Sequence, residues 1–269
     1  MTRLRLGVVL YRNSEEELAT LIRSLQRVEQ RQVSVEVRFI DNSPDDVLGA
    51  PVVAAFGAGA YRRTGSNLGF GAAHNREMAE AVRDGAEAYL CVNPDALLHP
   101  AAVEELWRVA SRPGTWLVDG RTLPEEHPKP YAAGDGETPW CAGTLLLIRA
   151  EAISVLGGFD ENFFLYAEDV DLSWRVRAAG HATRTAPRAW IHHWVEHRPL
   201  SLERRLEVLR SAAYLGRKWG AAAFARRHER LYRVLAGHRP RLPPVEPMPA
   251  SARTVADFAH GVRFARSRW

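Results

Sequence analysis

Apolar and polar positions in the first part of the chain follow the spacing of strands and helices in turn. A continuous apolar run predicts a buried strand at residues 4–11, and an alternating run predicts another at residues 33–40. Between them, Ser14 and Glu17 have the spacing of a capping box, and apolar residues recur at helical spacing to about residue 30. The pattern therefore predicts strand, helix and strand in that order.

The alternation continues toward residue 100. Residues 52–61 predict a weak strand, and a glycine-rich turn at residues 65–71 leads into a helix predicted over residues 72–83. A short buried strand is predicted at residues 88–92, followed by a helix from about residue 100. Because polar residues end these strands and helices separate them, we predict an α/β fold with a Rossmann-like, mostly parallel sheet flanked by helices.

The second half of the chain is less regular. Residues 111–139 are rich in proline and glycine and predict an irregular excursion, whereas Gly180 stands where a helix ends with a left-handed cap. The other elements predicted here are a strand at 140–148, a turn at 157–160, a helix at 168–179, a strand at 189–193 and helices near 201–219 and 221–236.

These elements predict one main domain with an extension. The domain covers residues 1–198, with a nucleotide-binding part at about 1–98 and an acceptor part at about 99–198. The rest divides into a helical extension at 199–238, a proline-rich linker at 239–250 and an amphipathic segment at 251–269. The apolar fraction of 46% and the charged fraction of 25% are typical of globular proteins.

Composition also bears on the compartment. No run of about 18 apolar residues occurs, and the start of the chain turns polar too early for a signal peptide. Cys91 and Cys141 stand in apolar stretches and predict two reduced thiols in a cytosolic protein. Charge is uneven, since Arg198–Trp269 holds 16 of the 36 Lys and Arg but 5 of the 32 Asp and Glu. This excess favours a nucleic acid, an anionic membrane or a phosphorylated acceptor, with a solvated helical face as the alternative.

Two acids follow predicted strands. Asp41 can accept a hydrogen bond from a uracil or thymine ring, or it can form an Asx turn with the residues after it. Asp95, in Asn93-Pro94-Asp95, offers a carboxylate to a divalent cation, or it caps a turn. Ligands of open parallel sheets bind beyond the carboxyl ends of the strands, where both acids are expected.

Further candidates stand in a loop and in the second half. The glycines of residues 65–71 allow close approach to a ribose or phosphate before a helix, although any strand-to-helix corner uses such a turn. Three acids, Glu168, Asp169 and Asp171, stand at the start of a predicted helix beside an apolar stretch. A carboxylate there can have a raised pKa and serve as a general base, or the acids can be charges that stabilise the helix N-terminus. Asp171 is expected to pair with Arg175. One of two adjacent strand-end histidines, His192 or His193, can face the site.

Taken together, six segments resemble the family 2 glycosyltransferases of the GT-A fold, over roughly residues 4–195. The Asn-Pro-Asp segment and the loop before the third helix are most similar to the bacterial rhamnosyltransferase branch, which uses dTDP-rhamnose. The segments are Val8–Asn13, Ile40–Ser43, Asn67–Gly71 with Asn75, Asn93–Asp95, Gly157–Glu161, and Glu168–Leu172 with Arg175.

The resemblance implies a role for each matching residue. Asp169 matches the catalytic base, Asp95 matches the last acid of the Asp-x-Asp metal motif, and His192 or His193 matches a histidine of the metal shell. Glu168, Asp171 and Arg175 would support the base. Donor contacts are implied for Tyr11, Asn13, Asp41, Asn67, Gly71, Asn75 and Asn93.

Two departures from the family pattern affect the metal site. Asn93 replaces the first acid of the metal motif, so Mg²⁺ or Mn²⁺ would have fewer protein charges. The usual residues after the histidine are not clear in residues 194–198, which leaves the choice of histidine open.

The predicted reaction is an inverting transfer of a sugar, for which the branch suggests rhamnose, from a dTDP- or UDP-linked donor to a carbohydrate or lipid-linked acceptor in cell-surface glycan synthesis. We expect a cytoplasmic protein, with no nucleic-acid partner, whose basic C-terminal region contacts the inner face of the membrane or docks on the protein itself. A nucleotidyltransferase of related fold and a non-catalytic nucleotide-sugar binding module are the alternatives.

Overall fold

One sheet runs through the part of the chain that the computed structural model describes, which is residues 1–45, 47–127, 129–193 and 200–258. The strand order is β3-β2-β1-β4-β7-β6-β8-β5. The strands are β1 Thr2–Leu10, β2 Val33–Asp41, β3 Tyr61–Arg63, β4 Ala88–Val92, β5 Ala96–Leu98, β6 Thr115–Leu123, β7 Leu145–Arg149 and β8 Ala182–His193.

Helices cover both faces of this sheet. One apolar cluster joins the sheet to α1 and α4, and a second joins it to α3, α5 and α6. The helices are α1 Glu15–Leu25, α2 Gly49–Phe56, α3 Phe70–Arg83, α4 Ala102–Ala110, α5 Ala150–Leu156, α6 Glu168–Ala178, α7 Leu202–Lys218 and α8 Ala222–Ala236.

Strand directions confirm the α/β prediction and place the carboxyl ends of the first strands together. β1 is parallel to β2 and β4, and β2 is parallel to β3. β7 is antiparallel to both β4 and β6, and β5 is antiparallel to β8, so the sheet is mixed in its second half. The ends of β2 and β4 therefore lie on either side of the end of β1.

The predicted elements of the first half are mostly confirmed. The capping box is present, because Ser14 Oγ accepts from Glu17 N at 3.2 Å and Glu17 Oε2 accepts from Ser14 N at 2.9 Å. The helix α1 ends at Leu25, earlier than the predicted residue 30. The β4 strand has the predicted bounds.

Two predictions, the strand at residues 52–61 and the irregular excursion at residues 111–139, are wrong. Residues 52–61 form most of α2, a 3-10 helix at Ala58–Ala60 and the first residue of β3, since a short apolar run does not distinguish strand from helix. The predicted excursion at 111–139 contains β6, whose apolar residues pair with β7 and β8 between proline- and glycine-rich flanks. The strand predicted at 140–148 is confined to β7, and the helix α5 was not predicted.

The C-terminal extension packs against the main domain. Helices α7 and α8 follow the predicted bounds closely, and they contact each other. The proline-rich linker is held against the domain, because Met248 N donates to Lys218 O at 2.8 Å. Its Leu242 and Val245 pack on a third apolar cluster, which includes Trp174 of α6 and Trp219.

The first residues of the predicted amphipathic segment dock on the domain. Phe258 lies 4.9 Å from the Trp174 ring and 4.7 Å from the Phe224 ring, measured between centroids. Residues 259–269 of that segment lie outside the described residues. Among the helices that are described, none combines the length and the apolar character that a bilayer span requires.

Candidate functional site

The carboxyl ends of β2 and β4 carry the first two candidate acids. Asp41 is the last residue of β2 and is paired with Leu10 of β1, and Asp95 follows β4 by three positions. Since one strand separates β2 from β4, their ends lie about 10 Å apart across the sheet. The structure thus brings both acids to one edge, as the sequence predicted.

Asp41 forms the Asx turn that was the alternative to a donor contact. Its Oδ1 accepts from Ser43 N at 2.7 Å, and its Oδ2 accepts from the Tyr61 hydroxyl at 2.6 Å. The side chain is fully buried. Both oxygens therefore have protein donors, and the predicted contact with a pyrimidine would need one of their second lone pairs.

The loop before α3 is fastened to the end of β2 and to the second half of the chain. Asn42 Nδ2 donates to Gly69 O at 3.0 Å, and Phe70 N donates to Phe164 O at 3.0 Å. Gly69 has φ of 81°, and a Cβ there would lie 2.2 Å from Phe164 O. Only glycine fits this position, so the loop is held against the segment that precedes α6.

Three residues that were predicted to contact the sugar donor have a structural role. Asn75 donates to Phe159 O at 2.9 Å and accepts from Phe159 N at 2.8 Å, so its amide holds the turn after α5. A Cβ on Gly71 would lie 2.9 Å from Phe159 Cβ, which shows that Gly71 permits close packing there. Asn67 Oδ1 accepts from Gly69 N at 3.0 Å, which closes the loop.

Tyr11 and Asn13 lie at the end of β1. Tyr11 is 44% exposed, and its backbone N donates to Asn13 Oδ1 at 3.0 Å. The next residue, Arg12, donates its backbone N to Ser43 Oγ at 2.9 Å. The second bond joins the ends of β1 and β2, and the Arg12 guanidinium lies over the Tyr11 ring, 5.4 Å from its centroid.

His193 is the histidine that lies beside Asp95. Antiparallel pairing of β5 with β8 places His193 opposite Ala96, and His193 Nε2 is 3.2 Å from Asp95 Oδ1. The Asp95 side chain is 40% exposed, whereas that of His193 is 8% exposed. His192 points to the other face of β8, because neighbouring strand residues alternate.

An imidazole nitrogen and a carboxylate oxygen at this distance fit a divalent cation that takes its other ligands from a phosphate and water. No group of three or more His, Cys, Asp or Glu side chains with metal-binding geometry occurs in residues 1–45, 47–127, 129–193 and 200–258.

Glu168 and Asp169 form the first turn of α6. Asp169 Oδ2 accepts from Gly143 N at 2.9 Å, and its Oδ1 accepts from Val170 N at 2.8 Å. Glu168 is buried, and its Oε2 has no hydrogen-bond partner. The two carboxyls differ accordingly, since Asp169 accepts from the backbone N–H groups of Gly143 and Val170, whereas the backbone donor to Glu168 is its own N–H.

The turn into α6 is strained. Tyr166 has φ of 69° and Ala167 has φ of 71°, so two consecutive residues with side chains adopt the left-handed region. Each costs about 1–2 kcal/mol relative to the right-handed region. Strain of this kind persists where surrounding contacts fix the backbone, and it is typical of functional sites.

Burial raises the pKa of both carboxyls. Loss of hydration raises the pKa of Asp169, against the lowering effect of the backbone donors Gly143 and Val170. Loss of hydration and the charge of Asp169 raise the pKa of Glu168 well above its usual value of 4.5. Asp169 thus combines a raised pKa with a fixed orientation, which suits a general base.

Three consecutive backbone N–H groups at residues 141–143 donate to side chains, and the sequence did not predict this arrangement. Cys141 N donates to Ser173 Oγ at 2.9 Å, Ala142 N donates to Asp119 Oδ2 at 2.7 Å, and Gly143 N donates to Asp169 as described. The next residue connects this segment to the end of β4, near Asp95, because Thr144 O accepts from Asn93 N at 3.1 Å.

Asp119 is supported by Lys129, and neither residue was predicted to matter. Lys129 Nζ donates to Asp119 Oδ2 and, at 2.8 Å, to Trp140 O, and the side chains of both ions are almost fully buried. The available signal was composition, because Lys129 and Lys218 are the only lysines among 36 basic residues.

Lys218 joins the extension to α6. Its Nζ lies 2.7 Å from Asp160 Oδ2 and 2.8 Å from Asp171 Oδ1, which also accepts from Trp219 Nε1 at 2.9 Å. The predicted pair of Asp171 with Arg175 is confirmed at 2.8 Å. The helix that begins with Glu168 and Asp169 is therefore tied to α7 by buried charges.

Proteins of similar sequence include two named rhamnosyltransferases. No protein-family profile matches the chain. The N-acetylglucosaminyl-diphospho-decaprenol L-rhamnosyltransferase of Mycobacterium tuberculosis (strain ATCC 25618 / H37Rv) is 29% identical over 224 residues, which cover 67% of this chain and 72% of that protein. Rhamnosyltransferase WbbL of Escherichia coli (strain K12) is 34% identical over 70 residues, or 26% of either protein.

Two solved structures have a similar fold. The mannosyltransferase PcManGT of Pyrobaculum calidifontis, solved with GDP-Man and Mn²⁺, superposes with a TM-score of 0.63 at 16% identity over 78% of this chain. GalNAc-T7, solved with UDP, GalNAc and Mn²⁺, superposes with a TM-score of 0.64 at 13% identity over 91% of this chain. This chain spans 61% and 59% of their lengths.

Proposed function

Because the chain is a rhamnosyltransferase-like family 2 glycosyltransferase of the GT-A fold, we propose that it moves a sugar from a nucleotide-diphosphate donor to an acceptor hydroxyl with inversion at the anomeric carbon. One observation carries the proposal. A continuous path of contacts, Asp169 to Gly143 and Thr144 to Asn93, joins the buried carboxylate to the strand end that bears Asp95.

Asp169 is the general base in this proposal. Its carboxylate takes the proton of the acceptor hydroxyl as that oxygen attacks the anomeric carbon, and the bond to the nucleotide diphosphate breaks on the opposite side. The N–H groups of Gly143 and Val170 fix the orientation of the carboxylate, so its position is set before the acceptor arrives. A single displacement of this kind inverts the configuration.

Asp95 and His193 would hold Mg²⁺ or Mn²⁺ together with the donor diphosphate. When bound there, the ion supplies positive charge that offsets the charge developing on the leaving diphosphate. Asp41, Asn67 and the end of β1 would line the nucleotide. Both similar structures were solved with Mn²⁺, which supports the choice of a divalent ion.

The donor that we propose is dTDP-rhamnose, with a lipid-linked or carbohydrate acceptor. The support comes from the relatives, both of which are named rhamnosyltransferases, and one of which is named for a diphospho-decaprenol acceptor. We place the reaction in the cytoplasm, at the inner face of the membrane. Two buried free thiols, Cys91 and Cys141, suit a reducing compartment.

A panel of nucleotide sugars tests the proposal. The protein is incubated with Mn²⁺ and dTDP-rhamnose, UDP-glucose or related donors, and release of nucleotide diphosphate is measured with the anomeric configuration of the sugar product by NMR. We expect turnover of at least one donor, fastest with dTDP-rhamnose, and an inverted product. Pyrophosphate release from a nucleoside triphosphate would contradict the proposal in favour of a nucleotidyltransferase, and binding without turnover would favour a non-catalytic module.

A further inference from the structure

Arginines in the main domain and in α8 differ in their partners. Most buried or half-buried arginines of the domain form ion pairs with Asp or Glu. These include Arg5, Arg38, Arg121, Arg149, Arg175, Arg177 and Arg184. On α8, the side chains of Arg226, Arg227, Arg230 and Arg233 are exposed, and none has an acidic partner among the described residues. Four exposed arginines without a described acidic partner therefore stand on this one helix.

These four arginines share one side of α8. At 3.6 residues per turn, Arg227, Arg230 and Val234 fall on a single line, with Arg226 and Arg233 beside it on one flank and Leu231 on the other. Val234 is 71% exposed and Leu231 is 42% exposed. We call these six residues the α8 arginine face.

None of the six residues of the α8 arginine face is acidic. The one acid of α8, Glu229, borders the face at three residues after Arg226 and four before Arg233, and its carboxylate accepts from Arg217 Nε at 2.6 Å. The opposite side of the helix is buried, since Ala225 and His228 are almost fully covered. The face is consequently a fixed surface that carries four positive charges and two exposed aliphatic side chains.

We propose that the α8 arginine face binds an anionic phospholipid bilayer. Guanidinium groups pair with lipid phosphates, and the exposed Val234 and Leu231 enter the boundary between headgroups and acyl chains. A nucleic acid would need the charges but would gain nothing from the two exposed aliphatic side chains, of which Val234 lies among the arginines and Leu231 on a flank. These two aliphatic side chains are thus the observation that favours lipid.

This inference rests on the proposed function, because membrane binding would bring the proposed site to a lipid-linked acceptor. Orientation would be preserved, since Lys218 joins α7 to Asp160 and Asp171 of the main domain. The helix α8, which packs on α7, would then hold the catalytic helix at a fixed position relative to the lipid surface.

Sedimentation with lipid vesicles tests the proposal on the full chain. The wild type is mixed with vesicles of phosphatidylcholine alone, or of phosphatidylcholine and phosphatidylglycerol in equal parts, at low and high salt. We expect binding to the anionic vesicles only, weakened by salt. The variant with all four α8 arginines changed to Gln should lose about 100-fold or more in partition, and Leu231→Ser with Val234→Ser should lose about tenfold.

A matched variant controls for total charge. Changing Arg23, Arg27, Arg31 and Arg83 to Gln removes the same charge from exposed positions of the main domain, and it should leave vesicle binding within twofold of the wild type, on the order expected for charges away from the contact. Equal losses in the two variants would overturn the proposal, as would equal binding of the wild type to both kinds of vesicle. Binding of the wild type to a DNA duplex but not to vesicles would also overturn it.

Turnover separates this proposal from the proposed function. The four-arginine α8 variant should keep wild-type donor turnover with a water-soluble acceptor analogue or with water, because α8 does not contribute to the site. Vesicle binding without any turnover by the wild type would contradict the transferase proposal and support the membrane contact. Turnover without vesicle binding would do the reverse.

Discussion

The two ends of the proposed site are built differently. At the end that bears Asp169, a carboxylate is held by two backbone N–H groups at 2.8 and 2.9 Å, after two residues in strained left-handed conformation. At the end that bears Asp95, the side chain is 40% exposed and lies 3.2 Å from His193 Nε2. One end is fixed by the protein, whereas the other leaves room for a ligand.

This difference suits the two tasks that we propose. A general base works best when its position and pKa are set before the acceptor binds, which requires burial and backbone donors. A cation that arrives with a diphosphate needs an accessible carboxylate and few protein ligands. The predictions that follow test whether each end behaves as its construction suggests.

The largest effect is expected from Asp169→Asn. The amide cannot accept the acceptor proton, so kcat should fall about 10³-fold, within the range attributed to general bases. Affinity for the nucleotide diphosphate should stay within a few-fold, as measured by calorimetry. Glu168→Gln is the matched control and should keep kcat within a few-fold, because burial already favours the neutral carboxyl there. Equal losses in both variants would contradict the assignment of the base.

A large loss of stability is expected from Lys218→Met. Both Asp160 and Asp171 would lose a buried partner, which costs about 3 kcal/mol and lowers Tm by roughly 10 °C for a chain of this size. Lys218→Arg should restore part of the loss, and Arg108→Met, which breaks an exposed pair with Glu105, should change Tm little. Because Lys218 supports α6, kcat should fall more than KM rises. An unchanged Tm in Lys218→Met would contradict the role of α7 in holding α6.

Asp95→Ala and His193→Ala test the accessible end. Each should weaken Mn²⁺-dependent donor binding about 10- to 100-fold, since each removes one of the two protein ligands that we propose. His192→Ala is the control on the same strand and should have little effect on the metal dependence of KM. If His192→Ala weakened the metal dependence and His193→Ala did not, the choice of histidine would be wrong.

The smallest effect concerns pH. The raised pKa of Glu168 means that the folded protein keeps a proton which the unfolded chain releases near its usual value of 4.5, so stability falls as pH rises from there toward the raised pKa. Glu168→Gln removes this dependence. Its Tm should equal that of the wild type below about pH 4 and exceed it at neutral pH. A constant difference between the two proteins at all pH values would contradict the buried, neutral carboxyl.

Sequence patterns predicted the first half of the fold better than the second. The capping box at Ser14 and the strand β4 follow local rules. The Asx turn at Asp41 was one of the two interpretations of its segment. The strand β6 was missed because its stability comes from pairing with β7 and β8, which are distant in sequence. Helix α2 was missed because its short apolar run fits both helix and strand.

The site shows the same division. The pairing of Asp171 with Arg175 was predictable from helical spacing and is confirmed. The selection of His193 over His192 as the neighbour of Asp95 depends on the register between β5 and β8, which no local pattern contains. The support of residues 141–143 by Asp119, Ser173 and Asp169 likewise comes from two elements that are distant in sequence, β6 and α6.

Calorimetric titration with nucleotide diphosphate and Mn²⁺ tests the two-ended site most directly, when the wild type, Asp169→Asn and Asp95→Ala are measured side by side. The account predicts that Asp169→Asn binds as the wild type does, while Asp95→Ala loses the Mn²⁺-dependent part of the affinity. Unchanged Mn²⁺-dependent affinity in Asp95→Ala, or its loss in Asp169→Asn, would contradict the account.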